Sequence, residues 1–180
     1  ASAECGFHSV KKVLPDDVDE DELHAVVQAL NDDARIDGIL VQLPLPEHVN
    51  QKRILEAISV EKDVDGFHPY NMGGLARSGE ELRQRRDGST FSYRVAANNA
   101  CTPLGCIELL DRSGVDLNGA DVVVLGRSNI VGLPVSMMLL HRNATVTMCH
   151  SRTKDLQSKV AAADVIIAAI GIPEFVKGEW

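Results

Sequence analysis

The sequence predicts an α/β fold in two parts, and three observations predict it. Helical and strand-like periodicities alternate along the chain, the strand candidates are short continuous apolar runs, and the second half holds three such runs with a helix between each. Strands of this kind are buried on both faces, so the class is a parallel sheet covered by helices.

Residues 19–31 form an amphipathic helix, with Leu23, Val26, Val27 and Leu30 at i, i+3, i+4 and i+7 and acids crowding the first turn. Gly38-Ile39-Leu40-Val41-Gln42-Leu43 follows as a short buried strand, closed by Pro44 and Pro46. A second helix over 50–58 carries Ile54, Leu55 and Ile58 on one face. Between 71 and 100 the periodicity fails. Arg77 to Gly88 is polar and glycine-punctuated, and so long a connection marks a junction with a surface loop. Helix 103–113 then carries Leu104, Ile107 and Leu110, with Pro103 in a permitted first-turn position. Strand 121–125, a Gly-rich turn, helix 131–141, strand 144–148, helix 154–162 and strand 164–170 complete the series. This β-α-β-α-β run is half of a doubly wound, Rossmann-like dinucleotide-binding sheet. Residues 1–100 and 101–180 are expected as two domains, both incomplete.

The chain carries 18 Lys+Arg against 26 Asp+Glu, a net charge of −8, and the imbalance lies in residues 1–66, which hold 15 acids and 6 bases. An acidic surface repels phosphate backbones, so no nucleic-acid partner is expected. The cluster Arg83, Arg85 and Arg86 is too small to reverse this and reads as a solvated loop. The longest apolar run, Val165 to Ile170, is a strand's length, well short of the roughly 18 residues of a membrane span, so no membrane insertion is expected. Cys5, Cys101, Cys106 and Cys149 are scattered without a Cys-x-x-Cys pair, which suits free thiols in a reducing compartment and gives no metal site.

Strand 121–125 runs into Gly126-Arg127-Ser128-Asn129-Ile130-Val131-Gly132. Glycines at such a turn admit positive φ and a close approach of backbone to phosphate. The helix N-terminus behind them is expected to offer unpaired N–H donors and a positive dipole to an anion. Ser128 stands where the usual fingerprint has its middle glycine, so the βαβαβ context carries much of the assignment. The next strand ends in His150-Ser151-Arg152-Thr153, with hydroxyls and a cation where an NAD site would hold a carboxylate. Together with Arg127 this favours a 2′-phosphate, hence NADP.

Asp63 and Asp65 alternate in an extended segment, which would put both on one side. They read as an acid–base pair, or more commonly as residues that cap a turn or pair with the neighbouring Lys62. Gln42, an amide inside an apolar strand, must find partners, and it lies near the strand's C-terminal end, where α/β folds set ligands. His68 and His150 fit a structural role as well as a functional one.

In chain order, Val41-Gln42-Leu43-Pro44-Leu45-Pro46, Glu61-Lys62-Asp63-Val64-Asp65-Gly66, Cys101-Thr102-Pro103, the turn 126–132, His150-Ser151-Arg152-Thr153 and Val176-Lys177-Gly178-Glu179-Trp180 form one pattern. It resembles the bifunctional methylenetetrahydrofolate dehydrogenase/methenyltetrahydrofolate cyclohydrolase family, from Gly6 to Trp180 with an interruption at 76–100. The resemblance implies a folate-binding first domain and a Rossmann cofactor domain across a cleft. It also implies NADP-dependent oxidation of 5,10-methylenetetrahydrofolate to 5,10-methenyltetrahydrofolate, then hydrolysis to 10-formyltetrahydrofolate. On that reading Gln42 positions the catalytic lysine, Gln42, Leu43, Pro44 and Asp65 meet the folate, and Asp65 bonds the pterin ring. Gly126, Arg127, Ser128, Ile130, Val131 and Gly132 line the cofactor turn, and Thr102 contacts the cofactor from the linking helix. His150, Ser151, Arg152 and Thr153 flank the 2′-phosphate, with Arg127 and Ser151 holding it.

A homodimer is implied as well, while cytosol, mitochondrion and plastid all fit. The family's catalytic lysine, in a Tyr-Val-x-x-Lys helix, aligns just ahead of Ala1, so these 180 residues alone are expected to be inactive. A catalytically silent relative serving as a structural subunit of a larger assembly is the alternative. Residues 76–100 exceed the usual family connection, and Asn98-Asn99-Ala100 replaces its Phe-x-Pro lead-in.

Overall fold

A computed structural model of the protein describes residues 2–77, 80–84, 90–94 and 98–180, with backbone alone at Ala3 and in 80–84 and 90–94. Asp19 starts helix α1 (Glu20–Asp32), its carboxylate accepting from Asp21 N at 2.8 Å, and the acids of the first turn complement the positive helix end. Leu23 and Val27 point inward to meet Val18, Ile39, Val49, Ile54 and Ile58, which together form the first apolar core. Lys62 closes the other end of α1: its Nζ donates to Leu30 O (3.2 Å), Asn31 O (2.6 Å) and Asp33 O (2.9 Å). A cation on the last carbonyls suits the negative helix end. Lys62 is thus a helix cap, where the sequence suggested a partner for its neighbouring aspartates.

Helix α2 (Gln51–Glu56) is capped by Asn50 and buries Ile54 completely, which contributes roughly 1.5–3 kcal/mol. The strand expected over 38–43 reduces to one parallel bridge, Ile39 to Asp63, closed by Ile39 N donating to Lys62 O at 2.7 Å. The partner segment turns on both sides of Asp63, so only one residue pair can align. Beyond Ile39 the chain leaves the ladder, and Leu40 is exposed.

Helix α3 (Pro69–Ala76) is absent from the sequence reading, because Gly73-Gly74 dilutes its periodicity. Pro69 opens it, and His68 caps it, Nδ1 accepting from Tyr70 N at 3.1 Å. Strands β1 (Glu80–Gln84) and β2 (Thr90–Arg94) pair antiparallel, Glu80 opposite Arg94 and Gln84 opposite Thr90. A hairpin therefore occupies part of what reads as a surface loop. The alternation of Thr90-Phe91-Ser92-Tyr93 suits a strand, but it is short and set in a strongly polar stretch. Of the arginine cluster, Arg83 lies in β1, and Arg85 and Arg86 fall outside the described residues.

The second half follows the expected series closely: α4 (Cys101–Arg112), β3 (Asp121–Leu125), α5 (Gly132–Leu140), β4 (Thr145–Cys149), α6 (Leu156–Ala161) and β5 (Val165–Ala168). The sheet order is β4-β3-β5, all parallel, with Val123 aligned to Thr147 on one side and Ile166 on the other. Val122 and Val124 face a core with Ile107, Val135, Met138 and Leu139, which Leu75 of α3 also joins. Val123 and Leu125 face the opposite layer with Cys149 and Val160. Phe175 and Trp180 close that layer, edge to face at 5.8 Å. Among the described residues no helix is long and apolar enough to cross a membrane.

Candidate functional site

With β3 central and its two successors on either side, the strand order switches direction between β3 and β5, all three strands staying parallel. Open α/β sheets place ligands at that crevice, beyond the carboxyl ends of the strands. Two hydrogen bonds draw three turns together there: Gly126 N donates to Cys149 O at 2.8 Å, and Ala169 N donates to Leu125 O at 2.8 Å. Gly126 sits at φ +113°, and a Cβ on it would collide with Ala169 O. A Cβ on Gly132 would stand 2.6 Å from Gly126 C and 2.9 Å from Arg127 N, so the helix start folds directly onto the turn. Ala169, against which Gly126 packs, was missed in the sequence. It falls inside the predicted strand 164–170, and only the pairing of β5 with β3 brings it against the turn.

The front of α5 differs from the expectation of free helix amides. Ser128 Oγ accepts from Val131 N (3.2 Å) and Gly132 N (3.3 Å), and Ser128 O accepts from Leu133 N (2.9 Å). Pro134 has no N–H, and Val135 N already donates to Val131 O at 3.0 Å. The helix therefore offers its dipole but no unspent donor in its first turn. Within the turn 126–132 the backbone N–H groups left unbonded for an anion are those of Arg127, Ser128, Asn129 and Ile130. Ser128, where a glycine is customary, acts as the cap of α5.

The turn after β4 divides into builders and presenters. His150 N donates to Thr153 Oγ1 (2.8 Å), Thr153 N to His150 O (2.8 Å), and Arg152 N to His150 Nδ1 (3.2 Å). The His150 ring and the Thr153 hydroxyl hold the turn, whereas Ser151 and Arg152 are exposed. Arg127 is exposed on the adjacent turn and pairs with no carboxylate among the described residues. The arrangement can receive an anion with two guanidinium groups, a hydroxyl and loop amides.

On the other side, Asp63 and Asp65 do not share a face. Asp63 is 1% exposed: Oδ1 accepts from Phe67 N (3.3 Å), and Oδ2 accepts from His68 N (2.9 Å) and Asn71 Nδ2 (2.7 Å). It organises the turn into α3. Asp65 is half-buried, and burial first, then the Asp63 charge, pushes its carboxyl above the ordinary aspartate range. The folded state therefore holds the Asp65 proton more tightly than the unfolded state does. That contribution is complete below the unfolded pKa and is lost as pH rises through the raised folded one. The stability gap between Asp65→Asn and the parent is expected to shift in favour of the variant as pH rises from about 4 to about 7, read from thermal unfolding. A gap that stays flat over that range would rule the assignment out.

Gln42 is not buried in a strand. It is exposed, its Nε2 donating to Leu43 O at 2.9 Å, because the chain has already left the bridge at Ile39. Leu43 is half-buried and Pro44 exposed, joined by a cis peptide bond. Thr102 is exposed on the first turn of α4, beside Cys101, whose Sγ lies 3.7 Å from Val64 O. Among the described residues no three His, Cys, Asp or Glu side chains gather to hold a metal ion.

Comparison with known proteins agrees in both halves. Residues 1–65 match the catalytic domain, and residues 100–180 the NAD(P)-binding domain, of tetrahydrofolate dehydrogenase/cyclohydrolase. The bifunctional protein FolD 2 of Geobacter sulfurreducens is 54% identical over 175 residues, covering 97% of this chain and 56% of the relative. FolD 2 of Arabidopsis thaliana is 50% identical over all 180 residues, 56% of its own length. Among solved structures, a Trypanosoma brucei methylenetetrahydrofolate dehydrogenase-cyclohydrolase complexed with NADP cofactor and inhibitor superposes with a TM-score of 0.86 at 38% identity, covering 99% of this chain and 56% of that one. The bifunctional FolD enzyme of Campylobacter jejuni gives 0.83 at 42% identity, covering 98% and 57%. The chain thus spans a little over half the length of these relatives. With both domain types matched in order, the chain belongs to the tetrahydrofolate dehydrogenase/cyclohydrolase family.

Proposed function

We propose that this chain supplies the folate-facing and cofactor-facing surfaces of an NADP-dependent methylenetetrahydrofolate dehydrogenase/cyclohydrolase of one-carbon metabolism. Residues 1–100 form the folate side and 101–180 the cofactor side. The observation that carries the reading is the pair of exposed guanidinium groups, Arg127 and Arg152, on the adjacent turns after β3 and β4, neither of them paired with a carboxylate among the described residues. A 2′-phosphate there meets opposite charge and the Ser151 hydroxyl, whereas an unphosphorylated ribose would leave two cations unused.

The glycines fit a cofactor as well: Gly126 and Gly132 leave the turn free of side chains on the side the backbone must offer to phosphate. NADP, when bound, supplies the hydride acceptor. The chain's own part is binding and orientation. Loop amides 127–130 hold the phosphates, Gly126, Val131, Gly132 and Ile130 shape the turn, and Ser128 keeps α5 in place behind it. His150 and Thr153 set the turn that aims Ser151 and Arg152. Thr102 meets the cofactor from α4. On the folate side Asp65, with its raised affinity for a proton, bonds the pterin ring, and Gln42, Leu43 and Pro44 border the substrate. Hydrolysis of the methenyl product and a homodimeric assembly belong to the same proposal for the whole protein.

Titration with each cofactor in turn tests the reading. Arg127→Ala is expected to weaken NADP about 10–100-fold, the worth of one charge-assisted contact, and to leave NAD within about twofold. Unchanged NADP affinity in that variant would remove the phosphate assignment.

A further inference from the structure

Three contacts join the Asp65 turn to the head of α4. Asn98 Nδ2 donates to Asp63 O at 2.8 Å. Gly66, at φ +67°, has no room for a side chain: a Cβ would stand 2.8 Å from Asn98 O and 2.9 Å from Ala100 N. Cys101 Sγ lies against Val64 O. Ala100 is buried, and its carbonyl accepts from Leu104 N at 3.0 Å, so the lead-in is continuous with the first turn of the helix that carries Thr102. Ile107 of α4 then shares a core with Val135 and Leu139 of α5, the helix behind the cofactor turn.

We propose that Asn98 is a positioning residue that couples the folate side to the cofactor side, by pinning the backbone at Asp63 to the start of α4. This rests on the function proposed above. The Asp63 carboxylate is held separately, by Phe67, His68 and Asn71, so the turn keeps its shape when the Asn98 bond is lost. What is lost is its placement relative to α4. Ordering one side then no longer orders the other, and coupled binding between two sites is the quantity that reports it.

The test measures NADP affinity of the full chain with and without saturating tetrahydrofolate, for the parent, Asn98→Ala and the isosteric Asn98→Asp. In the parent, tetrahydrofolate is expected to change NADP affinity by about fivefold or more. In both variants that factor falls to about one, while the affinity for each ligand alone stays within about twofold. Coupling that persists in Asn98→Ala overturns the inference, including the case in which only Asn98→Asp loses it, since the added charge would then be the cause. A parent that binds both ligands without coupling overturns it too and leaves the proposed function standing. A parent that binds neither ligand removes both.

Discussion

Replacing Asp63 with alanine is expected to destabilise the protein by about 3 kcal/mol or more. Three donors end on its carboxylate: Phe67 N, His68 N and Asn71 Nδ2. Asp63 and Asn71 are both 1% exposed, so water cannot readily replace the lost acceptor. Each stranded donor keeps a desolvation cost of about 1–3 kcal/mol, reduced by whatever relaxation the turn allows. Asp63→Asn keeps one acceptor oxygen, and about half the loss is expected. Urea unfolding midpoints at constant slope decide the matter. An alanine variant within about 1 kcal/mol of the parent would show that the turn into α3 is held by something else.

The second large effect falls on the cofactor side. Gly126→Ala is expected to cost about 2–5 kcal/mol and to lower NADP affinity at least tenfold. Two penalties combine there: a backbone at φ +113°, which L side chains rarely adopt, and a collision with Ala169 O. Neither obstacle can swing aside, because Ala169 is tied to Leu125 by its own amide. Gly114→Ala is the control. It carries φ +71° with nothing within 4 Å of the added carbon, so only the conformational cost of about 1 kcal/mol applies. Equal losses in the two variants would mean that close approach at Gly126 is immaterial.

Which parts of this could be read from sequence follows from where the determining contacts lie. Val122 to Leu125 announce a buried strand because a short run, rich in β-branched valine and bounded by Gly119 and Gly126, suits a strand covered on both faces. The positive φ of Gly126 is legible for a related reason, since that freedom is intrinsic to residue type. For Asp63 the sequence leaves turn-capping and acid–base work open, and the structure shows the turn cap: its contacts are two backbone amides four and five residues on and the Asn71 amide, which meet it only once the turn has formed. Ile39, Leu40 and Val41 are apolar and predict a strand that would enclose Gln42. The ladder ends after one pair, for a reason held in the other segment, which turns on both sides of Asp63. Helix α3 was hidden by Gly73 and Gly74, whose propensity is poor. Leu75 reaches the core between α4 and α5, and that tertiary burial makes up for it.

The cap that Ser128 places on α5 has a thermodynamic consequence. Where a phosphate-binding turn is ordered only by its ligand, binding must supply the free energy of ordering it. Here the serine already holds the helix amides and Gly132 already seats against Gly126, so the turn is formed before any anion reaches it. Preorganisation of this kind keeps more of the interaction energy as affinity. Added NADP should then raise the unfolding temperature by simple mass action, and the heat-capacity change of binding should match the contact surface alone, with nothing added for folding.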